Sequence, residues 1–298
     1  MNTIEGPRTI ATVSGDWPFS LTRCQPGIGA EIGDIDLRES LDETTIKALR
    51  RALVEFKVIF FRDQDITPAQ HVAFARRFGE LEVHPVFPHH PDHPELVLLG
   101  GSRDRKAREN IFHTDVSWRE IPSLGSMLRC VECPEIGGDT LFINMVAAYE
   151  NLPDDIKARL DGLIAVHDIL PTFGNDVTPE RREELRRQFP AQHHPVVRTH
   201  PESGEKILYV NQAFTTHILN FESFRRYRFG FDYQFEEMNL LQYLYTQAAA
   251  PEYQVRLKWR PHTIAFWDNR ATQHYAIQDY FPATRRMMRA TVVGDKPF

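Results

Sequence analysis

His113 and Asp115 stand two apart in "NIFHTDVSW", an otherwise apolar and aromatic run. An imidazole and a carboxylate so placed are either two polar groups at a loop edge or half of a metal site. The pattern alone is weak. With 13 histidines and 41 acids among 298 residues, chance supplies roughly two His-x-Asp/Glu pairs. The chain has four, at His90/Asp92, His93/Glu95, His113/Asp115 and His200/Glu202. Three carry proline in the middle, which favours turns or edges and removes a ladder donor. Only His113/Asp115 lies in a run with strand character. In a strand, residues i and i+2 project from one face, so both side chains can reach one ion. An open-sided iron(II) site needs two histidines and one carboxylate on one face of an octahedron. His274 in "FWDNRATQHYAIQDY" is the candidate third ligand, selected by its strand-like and aromatic surroundings, since spacing does not choose among the histidines.

Arg285 and Arg289 carry a second kind of chemistry. In "ATRRMMRATVVGD" they are four apart; in a strand they share a face with backbones roughly 13 Å apart, and Arg286 points the other way. Arginines usually form a solvated stripe, but two guanidinium forks along one wall would also make two oxyanion sites. Cys130 and Cys133 form a lone CxxC; a zinc site wants a second pair, which Cys24 does not provide. "GGD" at 137–139 is a turn, since no P-loop lysine follows. Trp118, Trp259 and Trp267 are expected in the core or a pocket wall. The Arg225, Arg226 and Arg228 cluster is expected in a solvated loop, a lid or a subunit contact.

Several elements must position these groups. Ile46, Leu49, Leu53 and Phe56 mark a helix over 43–56, with Ser40 or Asp42 as N-cap. Val58–Phe61 reads as a buried strand. Thr67 caps a second helix, with Pro68 at its first position and Gly79 at its end. "HTDVSW" and "DTLFINM" read as strands, "PDDIKARLDG" and "TPERREELRRQF" as short helices, and 236–249 as a longer helix stopped by Pro251. "QVRLKWR", "TIAFWD" and "MRATVVG" make the C-terminal third strand-rich, which argues for a barrel or sandwich decorated by helices. Stretches 99–110 and 221–235 read as mobile loops. A net charge of −6 gives no basic footprint for nucleic acid. There is no apolar run long enough for a membrane span, and the first residues lack the basic and apolar regions of a secretory signal. A cytoplasmic, soluble protein is expected.

"FGELEVHPVFPH", "HTDVSW", "GGDTLF", "HPVVRTHPESG", "YVNQAFTT" and "WDNRATQHYAIQDY" with "RRMMRATVVGDKPF" together resemble the taurine dioxygenase family of iron(II)- and 2-oxoglutarate-dependent oxygenases. The resemblance runs from about residue 20 to the end, with the blocks in family order. It implies a mostly β fold with flanking helices, a double-stranded β-helix or jelly roll, in one domain over 1–298 with helical inserts. It implies an iron(II) triad of His113, Asp115 and His274, with 2-oxoglutarate and O2 as cosubstrates. Arg285 and the Thr140 hydroxyl would hold the distal carboxylate of 2-oxoglutarate. His84 and Arg289 would hold a substrate sulfonate, and Phe173 and Phe214 would wall its pocket. Decarboxylation of 2-oxoglutarate to succinate and CO2 would accompany hydroxylation of the carbon next to sulfur, and the product would collapse to an aldehyde and sulfite. Family members are often dimers or tetramers, and a homo-oligomer is implied.

The match departs at one place. Taurine-oxidising members carry polar residues, typically Asp-Asn, near the substrate amine; here the stretch is Arg108-Glu109-Asn110, and a cation at 108 facing the pocket disfavours an ammonium group. Taurine is the first expectation. The same chemistry on another alkanesulfonate, an alkyl sulfate ester or a small (aryloxy)carboxylate is the alternative. A catalytically silent jelly roll that binds a small anion is the alternative of another class, against which the intact triad and Arg285 speak.

Overall fold

The computed structural model describes residues 15–101, 110–222 and 231–298, with side chains omitted for 231–234. Short apolar strands that cannot bury both faces alone stack into sheets here. Eight form the main sheet in the order Ser20–Arg23, Ala30–Gly33, Val58–Phe61, Ile264–Asp268, Ser123–Glu132, Arg285–Val293, His93–Gly101 and His89–His90. All neighbours are antiparallel except Ala30–Gly33 with Val58–Phe61. A smaller sheet, Gln254–Leu257, Thr140–Asn144 and Thr272–Ala276, faces it.

The period of two explains the layers. Val58, Phe60, Ala265 and Trp267 point between the sheets, where they meet Phe142, Val255 and Leu257. Ile59, Phe61, Ile264 and Phe266 point outward onto the helices Glu43–Phe56 and Pro68–Arg76. Those strands are buried on both faces, so they read as continuous apolar runs. The first helix is capped by Asp42, whose side chain accepts from the Thr45 N–H. The second has the expected Thr67 cap and a capping box with Gln70. It ends at Arg76 rather than running to Gly79.

Other strands and helices fall near their expected places: Thr140–Asn144, Asp154–Leu160, Pro179–Gln188, Gln254–Leu257, Ile264–Asp268 and Arg285–Val293. The two expected loops are corrected where they are described. Leu99 to Gly101 belong to the strand His93–Gly101, held by pairing to Arg285–Val293. Residues 231–235 open the helix Phe231–Thr246. The remainder of those loops, with Arg108, Glu109, Arg225, Arg226 and Arg228, lies outside the described residues. No helix among the described residues is long and apolar enough to cross a membrane.

Three buried histidines are packed into this frame away from the cavity. His71 sits in the second helix with Nε2 donating to the Met127 carbonyl at 3.2 Å. His167 and His194 lie ring to ring at 5.2 Å on neighbouring strands. Burial pulls His71 and His194 down to about 4, and it lowers His167 strongly, helped by His194. Each is therefore neutral in the folded chain but takes a proton in the unfolded chain below pH 6.5. Their stabilising contribution is complete above that pH and is lost as pH falls from there, down to about 4 for His71 and His194, at up to about 1.4 kcal/mol per pH unit for each of the three. Urea unfolding with a chelator present is expected to show a midpoint that drops between pH 7 and pH 5. A flat midpoint over that range would contradict it.

Candidate metal centre and its cavity

His113 and Asp115 do not lie on a strand, contrary to the reading of "HTDVSW". His113 makes a single bridge with His274: each donates its N–H to the other's carbonyl, at 3.1 and 2.9 Å. The chain then leaves the ladder in a turn over 115–118, with Val116 at φ 47°. That left-handed residue stops strand pairing just after Asp115. His113 Nε2 lies 3.7 Å and His274 Nε2 4.0 Å from Asp115 Oδ1. Among the described residues these three are the group of potential ligands that could hold a metal ion, with ligand atoms within 4.8 Å of one another.

The donor set fits iron(II): two imidazoles and one carboxylate, with one side open. His113 Nδ1 donates to the Ile111 carbonyl at 2.8 Å, which fixes the tautomer and leaves Nε2 as the lone-pair donor. His274 is oriented by packing, its ring 4.1 Å from His113, 4.8 Å from Trp267 and stacked on Phe142. Burial, reinforced by neighbouring His113, lowers its pKa well below the ordinary value, so it is neutral and free to ligate. Asp115 is buried, which alone would raise its pKa. The Arg289 guanidinium foremost, with the His274 and His113 imidazoles beside it, outweighs that and holds it well below the usual range. Arg289 Nη1 donates to Oδ1 at 2.8 Å, and Ser126 Oγ donates to Oδ2 at 3.1 Å.

The triad opens into a cavity of about 210 Å³ between the two sheets. His84, Thr140, Phe173, Phe214, Arg285 and Arg289, all singled out in the sequence, line it with the triad. Arg285 and Arg289 share the inward face of Arg285–Val293, while Arg286 is exposed. Arg285 Nη2 donates to Thr140 Oγ1 at 3.4 Å and lies 5.7 Å over the Trp259 ring. Trp259 Nε1 donates to the same hydroxyl at 3.0 Å. With its oxygen accepting twice, Thr140 keeps its own hydrogen to donate. Gly100 has φ 131°, and a Cβ there would lie 1.9 Å from the Arg285 carbonyl oxygen. Gly138, in the expected turn, has φ 70° and packs against the Arg285 side chain.

The other end of the cavity is aromatic. His84 packs 4.7 Å from Phe87 and 5.9 Å from Phe173. Phe173 stacks on Phe214 at 6.3 Å, and Phe214 stands edge-on to His113. His84 Nδ1 accepts from the N–H groups of Val86 and Phe87, at 3.2 and 3.3 Å. Burial, with Arg289 nearby, pulls its pKa down to about 3. It is neutral, and its proton must be on Nε2. Phe87 was missed in the sequence, although it lies three residues from His84 in a block that carries the resemblance; alternation of types alone does not separate it from core phenylalanines. Trp118 and Trp267 line the cavity and Trp259 lies in the core beneath it. Cys130 is buried and Cys133 half-buried against the same core, with no disulfide.

Residues 20–291 match the family model described as "Taurine catabolism dioxygenase TauD, TfdA family". The chain is 36% identical over 278 residues to an alpha-ketoglutarate-dependent sulfate ester dioxygenase from Pseudomonas putida, covering 91% of this chain and 88% of that protein. It is 36% identical over 276 residues to an alkylsulfatase from Acinetobacter baylyi, covering 90% and 83%. It is similar to the crystal structure of a taurine dioxygenase from Burkholderia xenovorans, with a TM-score of 0.78 at 37% identity over 94% of this chain and 90% of that one. The expected jelly roll with flanking helices agrees with that likeness.

Calorimetric titration with Mn(II) as an oxygen-stable stand-in for iron(II) is expected to give one site per chain. His274→Ala should weaken it beyond the roughly 10- to 100-fold that loss of an outer hydrogen-bond partner costs. Wild-type affinity in that variant would remove His274 from the site.

Proposed function

The chain belongs to the TauD, TfdA family of taurine catabolism dioxygenases, and on that premise we propose that it hydroxylates the carbon bearing a sulfo-oxyanion, in a sulfonate or sulfate ester whose organic part is apolar. The protein is a non-haem iron(II)- and 2-oxoglutarate-dependent dioxygenase. One observation carries the substrate reading: His84 and Arg289 both line the cavity beside Asp115, and both are donors. A neutral histidine with its proton on Nε2 and a fixed cation suit a permanently charged oxyanion.

The organic part meets Phe87, Phe173 and Phe214, with Ile111, Val116 and Ala213. Among the described lining residues Asp115 is the sole carboxylate, and it belongs to the triad. An ammonium group such as taurine's finds no separate counter-charge there, which favours an alkyl or aryl tail over the taurine first expected. The names of two relatives, a sulfate ester dioxygenase and an alkylsulfatase, agree in direction.

His113, Asp115 and His274 would hold iron(II), and bound metal supplies dioxygen activation coupled to 2-oxoglutarate decarboxylation. The chain's own groups do the positioning. Arg285 and the Thr140 hydroxyl clamp the distal carboxylate of 2-oxoglutarate at one end of the cavity. His84 and Arg289 clamp the sulfo group at the other. The aromatic wall excludes water and turns the carbon next to the sulfo group toward the triad. Hydroxylation there leaves a hemiacetal-like ester or an α-hydroxysulfonate. Its hydroxyl proton leaves as C=O forms, and the C–O or C–S bond breaks to give aldehyde plus sulfate or sulfite.

Two experiments test this. With iron(II), ascorbate, 2-oxoglutarate and oxygen, alkyl sulfates and alkanesulfonates are expected to stimulate succinate formation with release of sulfate or sulfite, and taurine to do so weakly. Succinate stimulated by aryloxycarboxylates instead would sink the sulfo-oxyanion reading and keep the oxygenase. No stimulation by any compound would favour an anion-binding protein. In steady-state kinetics, Arg285→Ala should mainly raise KM for 2-oxoglutarate. Arg289→Ala should mainly raise KM for the sulfo compound, about 10-fold or more for a buried charge-assisted bond worth roughly 1.5–3 kcal/mol. Equal effects on both cosubstrates would mean the two clamps are misassigned.

A further inference from the structure

Asp115 is held by more than its carboxylate. Asn269 lies in the turn between Ile264–Asp268 and Thr272–Ala276, is 1% exposed, and does not line the cavity. Its side-chain Oδ1 accepts the Asp115 N–H at 2.9 Å, and its Nδ2 donates to the Asp115 carbonyl at 2.9 Å. The same Nδ2 donates to Ser123 Oγ at 2.8 Å. The amide is thus fixed in orientation and satisfied on both sides.

The geometry of the neighbouring bridge explains why such a group is needed. His113 and His274 exchange both backbone hydrogen bonds. In an antiparallel ladder the next such exchange falls two residues on, between positions 115 and 272. It does not form. The Thr272 carbonyl is taken by the Thr114 hydroxyl at 3.0 Å, and Val116 turns the chain away at φ 47°. Asp115 would be left with a buried N–H and C=O, each costly if unpaired. Asn269 offers both a donor and an acceptor in a planar amide, as a peptide unit does. An ionised aspartate has no donor, and serine carries donor and acceptor on a single oxygen instead of on two atoms side by side.

We propose that Asn269 is a positioning residue for the metal: its amide substitutes for the missing strand partner of Asp115 and sets where Asp115 Oδ1 stands relative to the Nε2 atoms of His113 and His274. It also ties the turn that precedes His274 to the turn that carries Asp115, across 154 residues of chain. The inference goes beyond the proposed substrate and does not depend on it.

The test is Mn(II) affinity, measured alone by calorimetry on the full chain, beside the thermal midpoint without metal. Asn269→Ala is expected to raise the Mn(II) dissociation constant about 10- to 100-fold, the usual cost of an outer partner, and Ser123→Ala to raise it by a smaller factor. Asn220 is the matched control. It clamps backbone in the same way far from the triad, accepting from the Ile164 N–H at 2.8 Å and donating to the Gly162 carbonyl at 2.9 Å. Asn220→Ala is expected to leave Mn(II) affinity unchanged. A folded Asn269→Ala protein that binds Mn(II) like the wild type overturns the proposal, as does an equal loss in Asn220→Ala. If Asn269→Ala does not fold, Ser123→Ala decides, and unchanged affinity there overturns it.

Discussion

The carboxylate of Asp115 is a buried negative charge beside a largely apolar cavity, and much of the surrounding structure exists to make that tolerable. Burying an unpaired carboxylate costs several kcal/mol. Here Oδ1 meets Arg289 and faces the two imidazoles, Oδ2 takes the Ser126 hydroxyl, and the backbone is held by Asn269. Each partner comes from a different element: the main-sheet strands Arg285–Val293 and Ser123–Glu132, and the turn before Thr272–Ala276. A metal ligand so surrounded keeps its charge and its direction. The folded chain therefore presents a centre whose geometry is set by the sheets and not by the short turn that carries it.

The second organising feature is one strand. Arg285–Val293 lies in the main sheet between Ser123–Glu132 and His93–Gly101, so its inward side chains have no freedom to leave the cavity. Arg285 and Arg289 on that inward row make two anion-facing regions of the cavity, Arg289 beside Asp115 of the triad. Thr140 and Trp259 complete one region, and His84 and Phe87 the other. In the proposed reading the two regions take chemically distinct anions, a carboxylate and a sulfo group. The contrast is physical: a hydroxyl and a fork at one end, a neutral imidazole and a fork walled by phenylalanines at the other.

Most of the sheet was legible in the sequence. Val58–Phe61 and Ile264–Asp268 read as strands because both faces are buried, and the helices announced themselves through Asp42, Thr67 and Pro68. The ends of elements were less legible. The second helix stopped short of Gly79, and Leu99 to Gly101 joined a strand although two of the three are glycine and a polar stretch follows them. In that case pairing with Arg285–Val293, where only a glycine at 100 fits against the Arg285 carbonyl, overrode local composition.

The sequence by itself determined which side chains the centre could be made of. His113, Asp115, His274, Arg285, Arg289, Thr140, His84, Phe173 and Phe214 were all identifiable from residue type, order and resemblance, and all line one cavity. Tertiary structure decided how they are presented. His113 is held by a one-residue bridge to His274 instead of by a strand, and pairing ends directly after Asp115, at Val116 with φ 47°. Asn269 became visible only in three dimensions. Its role depends on a backbone N–H and C=O that lost their ladder partner, and an unpaired peptide group is a property of the assembled fold that no local pattern of residues records.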